Sequence, residues 1–113
     1  MSKYNVISAD AHIECSPELW VKRMPKALRD KAPQVVRMPG GGDAVSIAGG
    51  PPAPVGLQLT GGQKYSEFVT KGRSFAEMLP GSGDAAQRVR EQDQDGTDGQ
   101  LLYAAVVATS LRQ

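Results

Sequence analysis

Apolar positions fall into short runs separated by long polar stretches rich in glycine and proline, and those runs set the expected elements. Residues 4–9 form a short, mostly apolar run of the kind that reads as a buried strand. Ser16 is a candidate helix N-cap. Pro17 would follow at the first helical position, where its missing N–H costs nothing, and Glu18 would sit by the positive end of the helix dipole. Leu19, Trp20 and Met24 are the residues such a helix would turn towards a core. Pro25 breaks it, and residues 26–32 predict a short polar helix that Pro33 closes.

The pattern then changes. Two apolar runs, 35–38 and 44–48, flank Pro39-Gly40-Gly41-Gly42-Asp43 and predict an antiparallel hairpin with a longer loop. Residues 49–54 are an irregular connector, and residues 55–60 are the expected third strand. Between residues 63 and 79, Tyr65, Phe68 and Val69 are spaced for one helical face, with Phe75, Met78 and Leu79 as a second small apolar group. The last third has the clearest signals. Asp84 with Gln87 three residues on is a capping-box pattern, the helix would run over 85–94, and Gly96 suits a left-handed stop. The near-continuous apolar run 101–108 that follows is typical of a parallel strand buried on both faces. Its packing partners are not evident in the remaining residues, and left bare such a run invites aggregation.

Candidate chemistry sits at the end of the first strand, in Asp10-Ala11-His12-Ile13-Glu14. In an extended chain successive side chains alternate, so Asp10, His12 and Glu14 would share one face. Imidazole and carboxylate are ligands that a divalent metal such as zinc accepts. In parallel α/β architectures the C-terminal end of a strand is where ligands bind. The plainer reading is a satisfied histidine beside two solvated acids. Two other features invite less. Gly40-Gly41-Gly42 lacks the Lys-Ser/Thr and the following helix of a phosphate cradle, so it reads as a turn. Lys71 and Arg73 flank Gly72 in a loop open either to an anionic substrate or simply to water.

Composition narrows the field. With 113 residues, at most one small domain is expected, and 13 Gly, 8 Pro and 5% aromatics make a thin core. A net charge of +1 argues against attraction to nucleic acid or to an anionic membrane. The single cysteine excludes an internal disulfide and fits a reducing compartment. No apolar run approaches the roughly 20 residues that span a bilayer and no leader pattern opens the chain, so the cytoplasm is the default location.

The order of these motifs resembles the opening of the amidohydrolase superfamily, specifically the amidohydrolase-related branch that includes aminocarboxymuconate-semialdehyde decarboxylase. The residues that carry the resemblance are Ile7-Ser8-Ala9-Asp10-Ala11-His12-Ile13, Pro17-Glu18-Leu19-Trp20 and Leu28-Arg29-Asp30-Lys31-Ala32-Pro33. Residues 84–89, 93–98 and Leu102-Tyr103 are similar to the first helix and second strand of that family, and the hairpin matches an insertion that many members carry.

The resemblance implies an α/β fold, the N-terminal portion of a (β/α)8 TIM barrel with a β-hairpin insertion after the first strand. A full barrel takes roughly 250 residues and eight strands, of which this chain would supply about two. Within it, residues 1–33 would be the first strand and following helices, 34–62 the hairpin, 63–83 a loop or short helix, and 84–108 the helix and second strand. Asp10 and His12 map onto metal ligands, with zinc expected and manganese or iron as alternatives. Glu14 would be a further ligand or a catalytic proton-transfer group. Relatives often carry glutamate three positions after the histidine, where this chain has Cys15.

The implied activity is metal-dependent hydrolysis or decarboxylation of a small carboxylic acid. It would be absent from the chain alone, and a second protein chain or further polypeptide would complete the barrel. The alternatives are a non-catalytic truncated or accessory chain that binds a partner subunit, and an unrelated small α/β domain in which Asp-x-His is incidental.

Overall fold

A computed structural model describes residues 6–104. The chain divides into two compact units. One combines Met1–Glu14 with Pro80–Gln113, and the other is the intervening Cys15–Leu79. The helices that follow the first strand fall in the second unit, with the hairpin.

In the first unit, strand β1 (Ile7–Ile13) pairs in parallel with strand β5 (Gly99–Ala104), and helix α2 (Ala85–Gln94) lies in the connection between them. Parallel neighbours need a crossover of this kind because a tight turn reverses direction. Strand β1 runs further than the apolar run 4–9 suggested, to Ile13, and Ile7 is exposed rather than buried; residues 4 and 5 lie outside the described residues. Its entry is tied by Asp98, whose carboxylate accepts from the Val6 N–H at 2.8 Å while the Asp98 and Gly99 N–H groups donate to the Val6 carbonyl. Helix α2 occupies its expected span. The Asp84 carboxylate accepts from the Gln87 N–H at 2.7 Å, and Gly96 takes φ 68°. The capping box is only half formed, because the Gln87 side chain reaches forward to Glu91. Arg88 then joins the helix to the sheet, donating to Gln100 at 2.9 Å and to the Gly81 carbonyl at 3.2 Å. The strand expected over 101–108 is present to Ala104; residues 105–108 lie outside the described residues.

The second unit is built around a three-stranded antiparallel sheet in the order β2 (Gln34–Arg37), β3 (Asp43–Ser46), β4 (Ala53–Pro54). The hairpin is as expected, and Gly41 and Gly42 turn it with φ of 90° and 77°. The third strand lies at Ala53–Pro54, ahead of the predicted 55–60. Two residues on a sheet edge suit a proline, which has no N–H to give to a ladder. Leu57–Leu59 is instead a 3-10 turn that sends Leu59 into a core with Val45 and Val55, flanked by Ile47, Phe75 and Met78.

Helix α1 (Pro17–Arg23) packs against β2 and buries Pro17 rather than Leu19, and Ser16 caps it without a side-chain bond. The polar helix after Pro25 is a 3-10 helix, Lys26–Lys31. The stretch 63–79, expected as a loop or short helix, carries two short 3-10 turns, Tyr65–Glu67 and Phe75–Glu77. Between them Gly72 crosses against Gly42 so closely that a Cβ at Gly42 would meet the Gly72 backbone. A continuous helix would not permit that crossing.

Candidate functional site

The register of β1 on β5 contains one irregularity. Ser8 pairs with Gln100 and Ala11 with Leu102, so Ala9 and Asp10 together stand opposite Leu101 alone. This is a β-bulge, which resets the alternation of side chains along the bulged strand. Ser8, Ala11 and Ile13 consequently share a half-buried face with Gln100 and Ala104, the face that Arg88 of α2 reaches. His12 pairs with Tyr103 and looks to the other side.

On that other side Asp10 and His12 meet. His12 Nε2 lies 3.1 Å from Asp10 Oδ1, and both side chains are largely exposed, at 65% and 77%. The imidazole also faces the phenol ring of Tyr103, with ring centroids 6.0 Å apart and planes tilted by 38°. Leu101, two residues before Tyr103 and so on the same face, is 54% exposed. The sequence pattern did not single out Tyr103 because its place beside His12 depends on inter-strand register, which periodicity within one strand does not reveal.

Glu14 does not join the pair. Strand β1 ends at Ile13, and the Glu14 N–H donates to the Ser82 carbonyl at 2.9 Å instead of continuing the ladder with β5. Its side chain is buried, at 5% exposure, while Asp10 and His12 face solvent. Side-chain alternation ends with the strand, so Glu14 is not held on the face of Asp10 and His12. The Glu14 Oε1 is buried without a hydrogen-bond partner, and burial pushes the carboxyl up to about 7. Cys15, the next residue, carries a free, half-buried thiol.

Asp10 and His12 supply donor types and a spacing that suit a divalent ion, but a catalytic zinc usually takes three protein ligands. Among the described residues no three His, Cys, Asp or Glu side chains gather to hold a metal. On this chain alone the two donors fall short of that number.

The other candidates are absorbed by structure. Both terminal nitrogens of Arg73 are engaged within its own unit, donating to Glu77 at 3.0 Å, to Gln63 at 2.8 Å and to the Glu67 carbonyl at 2.8 Å, while its Nε is buried without a partner. That leaves Lys71 as the exposed cation of the loop pair. Gly40-Gly41-Gly42 is the hairpin turn. Asp43 beside it is a buried acid whose oxygens accept from the Ser74 hydroxyl at 2.6 Å, the Phe75 N–H at 2.8 Å and Arg37 at 3.0 Å. These bonds, the Ser74 hydroxyl foremost, hold its carboxyl below the ordinary carboxylate range. A carboxylate so fully partnered braces the loops around it.

Among the described residues no helix is long and apolar enough to cross a membrane. No protein-family model matches the chain, and no curated protein matches it.

Proposed function

We propose that this chain contributes the opening portion of a metal-dependent, amidohydrolase-type hydrolase or decarboxylase for a small carboxylic acid, and that it has no activity by itself. Asp10 and His12 are two of the metal's ligands in this reading, and further polypeptide provides the rest. The observation that carries it is the Asp10–His12 pair, 3.1 Å apart, on the face of the parallel sheet opposite the one that α2 reaches through Arg88. A (β/α)8 barrel makes the same separation, with helices outside and ligands drawn from the strands towards their C-terminal ends. His12 is the last residue but one of β1.

When bound, a divalent metal supplies Lewis acidity or an activated water. This chain's part is to present the Asp10 carboxylate and the His12 imidazole together and to place the Tyr103 ring alongside. Glu14, buried apart from the pair, is given no proton-transfer role here.

The count of two donors also favours the second reading for the chain on its own, an accessory polypeptide that does chemistry only within an assembly. Elemental analysis of the chain, isolated together with whatever polypeptide it retains, tests the proposal. Metal in the wild-type assembly and its loss on His12→Ala are expected. Equal metal content in that variant overturns the assignment.

A further inference from the structure

We infer that two copies of this chain share one zinc ion through their Asp10 and His12 side chains, so that zinc drives the chain into a symmetric dimer. The inference concerns the chain on its own, the second of the two readings above; it takes from the proposal only Asp10 and His12 as metal donors and adds a second copy as the partner.

Spacing is the first support. Two ligand atoms on one tetrahedral zinc, each roughly 2.0–2.2 Å from the ion, lie roughly 3.3–3.5 Å from one another. His12 Nε2 and Asp10 Oδ1 are already 3.1 Å apart, so a shift of a few tenths of an ångström lets both bind one ion. Donor count is the second. Among the described residues the chain gathers no third donor, whereas tetrahedral zinc takes four ligands. A two-fold axis through the ion doubles a pair to four, and a two-fold interface uses the same patch on both partners.

Access is the third. Both side chains project from an exposed strand face, which a deep cleft would not offer to another copy. The same face carries Leu101 and Tyr103, about half exposed, which would be covered around the ion as the copies meet. Arg88 and α2 belong to the opposite face and do not obstruct the approach.

Sedimentation velocity of the full chain, with zinc chloride added at one ion per two chains, is the test. The expected result is a shift from the 12.0 kDa monomer to twice that mass, reversed by a chelator, with about half a zinc per chain by elemental analysis. His12→Ala and Asp10→Asn should each weaken zinc-driven dimerisation about tenfold or more. Circular dichroism matching wild type would show that these exposed replacements leave the fold in place. Zinc bound one per monomer overturns the sharing while leaving the donor pair standing. No zinc bound by the chain at all removes the sharing too, and the larger proposal then depends on the metal content of the completed assembly. A dimer that forms without zinc, or one that His12→Ala still forms with it, overturns the inference as well.

Discussion

Two buried acids show how far environment decides what a residue does. Asp43 is held ionised by Ser74, Phe75 and Arg37, and its pKa lies below the ordinary 3.8. Its stabilisation is therefore present above that value and is lost as pH falls through the lowered one. Asp43→Ala should cost roughly 2–4 kcal/mol in urea denaturation, because it strands the Ser74 hydroxyl, the Phe75 N–H and the Arg37 charge together.

Glu14 runs the other way. Its pKa rises from 4.5 to about 7 through burial, so the folded chain holds that proton more tightly than the unfolded one. The stability it lends is complete below pH 4.5 and is lost as pH rises through about 7, a difference of roughly 2–4 kcal/mol. Unfolding measured from pH 4.5 to 8 should show that decline in the wild type, and Glu14→Gln should flatten it. An unchanged slope in the variant would place the titration elsewhere. That Glu14 is acidic and near His12 is plain from the sequence; that it is buried follows from where β1 stops, which depends on β5.

At the scale of elements, local chemistry predicts best where the signal is local. Helix α2 forms where Asp84 and Gly96 bracket it, since a cap and a left-handed stop act within one turn of the chain. Replacing Asp84 with Ala should cost about 1 kcal/mol and fray the first turn, visible as faster amide exchange at Gln87. The hairpin is equally local. Its turn, however, is under a constraint no hairpin signal contains, because Gly42 lies against Gly72 at φ 77°. Gly42→Ala should destabilise the chain by roughly 1–3 kcal/mol, measured by thermal melting, whereas Gly40→Ala, with open space at its Cβ, should be far milder. Residues 63–79 form a loop with the short 3-10 turns Tyr65–Glu67 and Phe75–Glu77, and spacing alone does not register that Gly72 passes close against Gly42.

For the molecule as a whole, the parallel pair leaves apolar surface in water. Ile7, Leu101, Leu102 and Tyr103 are all exposed on two strands, and a bare strand edge templates association. Leu101→Lys should raise the concentration at which the purified chain stays clear and lower its binding of a hydrophobic dye, with circular dichroism unchanged. If the dye binds as before, the exposed surface that matters lies elsewhere. The face that carries Leu101 and Tyr103 also bears the Asp10–His12 pair, whereas Leu102 lies on the opposite one with Ala11.

Residues close in sequence determined α2, the β2–β3 turn and the presence of Asp10 and His12 as potential donors on a strand, because caps, turns and side-chain identity act over a few positions. Tertiary structure alone decided that a bulge between Ser8 and Ala11 sets the faces of β1, that Tyr103 stands beside His12, and that Glu14 is withdrawn from them. Each of those depends on pairing across more than eighty residues of intervening chain or on a carbonyl supplied by Ser82. Partners that far apart leave no periodic trace in the stretch they organise.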